Sequence, residues 1–305
     1  MKKDFYAYAR RVKSMDFQKI TLDDIEKIKP FFNTLTSSTC DFTVGGMFMW
    51  RDYYGMEYLI EDGIFFSRLK DAQGNIYYNL PISDNVENAL RENISRYRKG
   101  CEKIRFCTVP EAYLPAFLSV APSASVTEQT DYFDYIYNAA DLIELKGRKY
   151  QPQRNLVSQF KRNNPDWSFV DINTLPIERV IEFFISQGLS GEDDGTASVE
   201  NMMVLEVLSN MDKYGFVGGV LMLGERVVGF SLGEKLGDTL FTHVEKADRS
   251  FKGAYQTLTN QFALTFGADA RFINREEDMG DAGLRRAKNA YHPIALLKKY
   301  IVEVD

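Results

Sequence analysis

Apolar positions along the chain alternate between two rhythms. Ile25, Ile28, Phe31 and Phe32 recur at helical spacing and predict a helix over residues 22–35 with one buried face. Short apolar runs at 58–60, 64–69 and 76–80 read as strands, because Glu61-Asp62-Gly63 and Gly74-Asn75 between them are hairpin-turn chemistry. A helix over 86–98 would end at Gly100, a suitable C-cap. A strand at 103–109, a short helix opened by Pro110 and a strand-like segment at 132–137 follow.

The second half repeats this order. Phe17 and Ile20 match Phe169 and Ile172, Thr21-Leu22 matches Thr174-Leu175, and Ile28 and Phe31 match Ile181 and Phe184. Gly74-Asn75 followed by Tyr77-Tyr78 matches Gly237-Asp238 followed by Leu240-Phe241, and Arg105-Phe106 matches Arg271-Phe272. The offset grows along the chain, as loop insertions such as 190–196 would cause. Two α/β domains follow, residues 1–145 and 146–305, each a mixed, mostly antiparallel sheet flanked by helices. Two unrelated α/β domains with coincident patterns would look the same at this level.

One segment carries chemistry. A strand at 227–232 and its hairpin partner at 239–244 lead through Lys246-Ala247-Asp248-Arg249-Ser250-Phe251-Lys252-Gly253-Ala254 into a helix over 255–265. Strand, glycine-containing turn and helix offer free backbone N–H groups to an anion, and Arg249 and Lys252 add positive charge. An ordinary β–α turn has the same pattern. The arrangement resembles the core of the GNAT acyltransferase superfamily, whose turn reads Arg/Gln-x-x-Gly-x-Gly/Ala and holds a coenzyme A pyrophosphate. Arg249 and Ala254 fit the ends of that motif, while Lys252 stands at the first glycine. The equivalent turn of the first half, near Pro81-Ile82-Ser83-Asp84, has neither glycine nor base, so the first domain is assigned a structural role.

Composition is that of an ordinary globular protein, 45% hydrophobic and 26% charged over 305 residues. A net charge of -6 argues against a surface coated in phosphate-binding groups. Residues 145–165 nevertheless hold six bases and no acid, among them Arg148, Lys149, Arg154 and Lys161, which can meet RNA phosphates or simply face water. The acidic loop 191–195 reads as a solvated loop or a flap. Three cysteines without CxxC spacing predict neither a disulfide framework nor a metal site, and fit a cytoplasmic protein. No run has the length of a membrane span, and the basic N-terminus lacks the apolar stretch of a signal peptide.

Two longer stretches narrow the picture. Lys146-Gly147-Arg148-Lys149-Tyr150 with Arg154-Asn155 and Phe160-Lys161 is one; Phe272 through Gly280 with Gly283-Leu284-Arg285, Lys288 and Tyr291-His292-Pro293 is the other. Together they resemble the bacterial family that shares the C-terminal domain of phosphatidylglycerol lysyltransferase, related to the Fem-type aminoacyltransferases. The resemblance implies two tandem GNAT-like domains and transfer of an aminoacyl group from aminoacyl-tRNA to an amine or hydroxyl acceptor, a small molecule or a peptide. Coenzyme A is the less favoured donor, since a side chain at Lys252 obstructs close backbone approach to phosphate. A coenzyme A-dependent N-acyltransferase and a non-catalytic binding protein on the same fold remain the alternatives.

The expected site lies in the second domain. Glu245, at a strand end beside the turn, is the candidate general base, with Tyr291 and His292 as proton donors. His243 alternates with Glu245 and can face the core instead. Arg249, Lys252, Gly253, Ala254 and Tyr255 would hold the donor. Asn274, Arg275, Glu276, Glu277 and Asp278 would orient the acceptor, or else cap the helix over 281–289.

Overall fold

Each half of the chain lays down the same succession of elements, in a computed structural model described over residues 16–35, 39–71, 73–97, 103–187 and 196–305. The first half contains β1 (Gln18–Lys19), α1 (Ile25–Phe32), β2 (Glu57–Glu61), β3 (Ile64–Lys70), β4 (Ile76–Tyr78), α2 (Val86–Tyr97), β5 (Ile104–Pro110), α3 (Leu114–Val120), β6 (Ser125–Glu128) and β7 (Asp134–Asn138). Two helices, α4 (Ala139–Glu144) and α5 (Gln151–Asn163), connect it to the second. There follow β8 (Trp167–Asp171), α6 (Ile177–Ser186), α7 (Thr196–Ser209), α8 (Met211–Tyr214), β9 (Val217–Leu223), β10 (Arg226–Leu236) and β11 (Thr239–Ala247). The chain closes with α9 (Ala254–Phe266), β12 (Phe272–Asn274), α10 (Ala282–Asn289), β13 (Ala295–Leu297) and β14 (Lys299–Val304). Gly100, Cys101, the acidic loop 191–195 and the N-terminal residues lie outside the described residues.

The elements form two seven-stranded mixed sheets flanked by helices. The first runs β1-β2-β3-β4-β5-β14-β6; the second, from its corresponding edge, runs β8-β9-β10-β11-β12-β7-β13. Position by position the orders agree, with one exchange. The last strand of the first half, β7, enters the second sheet, and the last strand of the chain, β14, enters the first. Sheet membership therefore crosses the 145/146 boundary in both directions. The apolar core crosses it too: Ile20, Phe48, Phe65 and Phe106 belong to the same buried cluster as Phe230, Leu232 and Val244. Burial of this shared apolar area, rather than any one pair of side chains, joins the halves.

Each sheet has one parallel seam, and each seam opens. β4 and β5 meet only at Tyr78 and Phe106. β11 and β12 pair from Thr239–Phe272 to Phe241–Asn274, after which β12 ends while β11 runs on to Ala247. Just past each seam stands a non-glycine residue in the left-handed region, Thr108 (φ 49°) and Glu276 (φ 57°). Such backbone is uncommon for these side chains and turns the chain away from the ladder. The two openings face one cavity between the sheets.

Candidate functional site

The cavity encloses about 1160 Å³ and takes its walls from both halves. Of the residues singled out in the sequence, Glu245, Arg249, Tyr255, Arg275, Glu276, Glu277 and Tyr291 line it. The first half adds Trp50, Tyr54, Tyr77, Asn79, Thr108 and Tyr132, which the sequence pattern does not assign to a site.

At the bottom of the second seam sits a buried charge relay. β11 carries one extra residue against β10 where Leu232 faces Val244 and Gly233 faces Thr242, so His243 falls in a bulge. Its ring stacks beside Phe216 and Phe241, with centroids 5.0 and 6.3 Å away. Nδ1 lies 2.7 Å from Glu276 Oε1 and Nε2 lies 2.9 Å from Glu234 Oε1. Burial alone would push this imidazole down, but the two carboxylates outweigh it and hold it up to about 10, so it is a cation at neutral pH. Glu234 also accepts the backbone N–H of Gly45 at 2.6 Å. Only glycine fits there: a Cβ at Gly45 would stand 2.4 Å from the His243 ring.

His243 thus faces the interior, and its work is to hold Glu276. Asn274 is buried and aids it, its Oδ1 accepting the Glu276 N–H at 2.7 Å and its Nδ2 donating to Asp134 at 2.8 Å. Burial raises the Glu276 carboxyl above its ordinary value despite the cation beside it. Glu245 is spoken for: Arg275 Nη2 donates to Oε2 at 2.5 Å and Thr259 Oγ1 to Oε1 at 2.8 Å. Arg275 also lies 4.9 Å from the Tyr291 ring centroid. Burial pushes the Tyr291 phenol up to about 12, so it stays protonated at neutral pH.

Asp278 is structural. Arg285 grips it through Nε and Nη2, both at 2.7 Å, and Tyr135 donates to it at 2.6 Å, which holds its carboxyl down at about 2. The cap of α10 is Asp281, whose Oδ1 accepts from the Leu284 N–H. His292 is exposed, with φ 55°, and its Nε2 sits 3.1 Å from the Lys149 carbonyl, not in the cavity wall.

A second cluster joins the exchanged strands. Lys299 at the start of β14 is fully buried, its ammonium 2.6 Å from Asp134, 2.7 Å from Asp41 and 3.6 Å from Glu277. Cys40 Sγ lies 3.3 Å from Lys299 and 3.0 Å from Glu277 Oε2. The ligand-type atoms of Cys40, Asp134 and Glu277 fall within 4.8 Å of one another, and the lysine ammonium stands among them as their counter-cation. Burial raises the Asp41 carboxyl to about 6, with Lys299 holding it lower than it would otherwise stand. Burial drives Glu277 up, but Lys299, the Cys40 thiol, a backbone hydrogen bond and Lys288 together hold it below its ordinary value, and it remains an anion.

The glycine turn is bonded in part within itself. Asp248 accepts the N–H and hydroxyl of Ser250 at 2.9 and 2.6 Å, and the Ala254 N–H donates to the Phe251 carbonyl. Gly253 (φ 89°) packs against α5 so tightly that a Cβ would stand 2.3 Å from the Leu156 carbonyl oxygen. Lys252 is exposed and, like Gly253 and Ala254, does not line the cavity. The basic stretch serves α5 and its surroundings. Arg154 donates to the carbonyls of Leu145 and Gly147, Lys161 lies 4.2 Å over the Trp167 ring, and Lys149 pairs with Asp141 at 3.5 Å. Arg148 is exposed.

Among the described residues no helix is long and apolar enough to cross a membrane. The family described as "Phosphatidylglycerol lysyltransferase, C-terminal" matches residues 32–303, and the chain belongs to it. A conserved protein of unknown function from Bacteroides thetaiotaomicron is 28% identical, with TM-score 0.85 over 95% of this chain and 100% of that one. The structure of L-PGS from Bacillus licheniformis superposes with TM-score 0.62 over 92% and 91% of the two chains at 12% identity, a likeness of fold. An uncharacterized protein from Mycoplasmoides gallisepticum is 22% identical over 173 residues, so the match spans 56% of that relative's length.

Proposed function

We propose that this chain is an aminoacyltransferase that moves an aminoacyl group from the ester of aminoacyl-tRNA to an amine or hydroxyl acceptor inside the cavity between its two halves. The observation that carries the reading is the opened seam of the second sheet, where Arg275, Glu276 and Tyr291 meet at one cavity, with Arg275 held by Glu245 and Glu276 held by His243. Family membership supports the reaction class. Lys252, at the first glycine of the phosphate motif, is exposed and outside the cavity, which weighs against coenzyme A as donor.

In the proposed step the acceptor N–H or O–H gives its proton to the free oxygen of Glu276, whose raised carboxyl makes it the better base than the arginine-paired Glu245. The acceptor atom forms a bond to the ester carbonyl carbon, and Arg275 faces the developing oxyanion. The carbon–oxygen bond to the tRNA ribose then breaks. The ribose oxygen leaves with a proton from Tyr291, which is restored from Glu276 through solvent, so no proton is gained or lost overall. His243 and Glu245 act as positioning residues for Glu276 and Arg275. Incubation with tRNAs carrying labelled amino acids tests this: Glu276→Gln should lower transfer by about 10²-fold or more with folding intact. Equal rates in the folded variant would remove Glu276 from the mechanism.

A further inference from the structure

The cavity is polarised, and its first-half wall has no role in the step above. Between residues 40 and 132 the chain gives that wall two carboxylates, Asp41 and Asp71, and no lysine, arginine or histidine. The bases that line the cavity, His243, Lys246, Arg249, Arg275 and Lys288, all come from the second half. Lys299 does not reverse the balance. It brings one positive charge to Asp41, Asp134 and Glu277, two of which line the cavity, and Lys288, which donates to the Glu277 carbonyl, still leaves three acids to two cations. Trp50, Tyr54 and Tyr132 add aromatic surface beside Glu277, whose charge reaches the hydroxyls of both tyrosines.

A second observation is independent of charge. Asn79 follows β4 at the opening of the first seam, lines the cavity and is 4% exposed, and its Oδ1 is buried without a hydrogen-bond partner. An orphaned acceptor costs stability unless a donor meets it. Negative charge, aromatic faces and an unmet acceptor all suit one kind of group, a primary ammonium.

We propose that the first-half wall, built on Asn79, Tyr54 and Tyr132 beside Glu277, is a subsite for the primary ammonium of the acceptor. This rests on the transferase reading for the word acceptor, but the binding it describes does not. It disfavours an anionic phosphodiester headgroup at this wall, since such a group would meet the charges of Asp41, Asp71 and Glu277 and no first-half cation. The amino group of the donated aminoacyl moiety has the same chemistry, and the test separates the two sources.

Calorimetric titration of the full chain with cadaverine, pentanediol, glycerol phosphate and an amino-acid amide decides the matter without any transfer reaction. Cadaverine should bind, and pentanediol and glycerol phosphate should bind at least tenfold more weakly. Tyr132→Leu, at a half-buried position, should weaken cadaverine binding by about fivefold. Asn79→Leu should weaken it by about tenfold while raising the unfolding temperature of the free protein, because it removes an unmet polar atom. Equal binding of cadaverine and pentanediol, tighter binding of glycerol phosphate, or cadaverine binding unchanged in both folded variants would overturn the proposal. An amino-acid amide that binds where cadaverine does not would transfer the subsite to the donor. Failure of tRNA-dependent transfer with ammonium binding intact would count against the catalytic reading alone.

Discussion

Replacing His243 with Gln leaves Glu234 and Glu276 buried on either side of a neutral group. The imidazole rises from 6.5 to about 10 on folding, and each unit is worth ~1.4 kcal/mol, so its charge contributes at most ~5 kcal/mol. Part of that is offset by the cost of burying Glu276, and loss of one partner from a buried ion pair runs to about 3–5 kcal/mol. A destabilisation of about 3–4 kcal/mol at pH 6.5 is expected, read from urea unfolding of both proteins. The pH dependence has a definite sign. The folded-state value lies above the unfolded one, so the contribution is complete below about pH 6.5 and is lost as pH rises, by ~1.4 kcal/mol per unit, until it is exhausted near 10. The stability gap between the two proteins should therefore close steadily between pH 7 and 10. A gap under about 1 kcal/mol at pH 6.5, or one that stays constant to pH 10, would refute a charged His243.

Lys299→Met should cost about 3–5 kcal/mol or prevent folding, since it strands Asp41, Asp134 and Glu277 without their buried cation; chemical denaturation or the soluble yield would show it. Residues 1–145 expressed alone should lack fixed tertiary structure by NMR, because their sheet misses β14 between β5 and β6. Gly253→Ala should destabilise by about 1–3 kcal/mol in urea unfolding, from its positive φ and the clash with the Leu156 carbonyl. RNA binding should weaken with salt, and Arg148→Ala with Lys149→Ala should lower the logarithmic salt slope by about 0.7–0.9 for each phosphate no longer neutralised, while a slope unchanged in that double variant would take this stretch out of the interface.

Much of the architecture was legible because hairpin turns and helix periodicities repeat in the same order in both halves. The strand exchange was not. The burial pattern of β7 or β14 shows that a strand is enclosed, but not which neighbours enclose it. That limit also hid the Lys299 cluster, whose members stand at residues 40, 41, 134, 277 and 299 and meet only through the exchange. In the second half, Arg275, Glu276 and Tyr291 were visible because they follow a short apolar strand or precede Pro293. The partners of charged residues were less so. Glu245 pairs with an arginine thirty positions away, and Arg154 spends its charge on backbone carbonyls rather than on a surface patch. The turn at 249–255 carries the spacing of a phosphate site, yet the packing of Gly253 on α5 and the outward position of Lys252 are set by tertiary contacts that spacing does not show. His243, read as able to face the core, does so, while the bulge that seats it is signalled by no spacing.

The claim that the cavity transfers aminoacyl groups is tested most directly by following a labelled amino acid from tRNA. The full chain is mixed with charged tRNA and a primary amine, and label is counted in RNA and in the small-molecule fraction. Aminoacyl transfer in the cavity predicts that label passes into an amide with the wild-type chain, that Glu276→Gln stops it, and that acetyl-coenzyme A does not compete. Label that remains on the tRNA while acetyl-coenzyme A is consumed in acetylating the amine would contradict it.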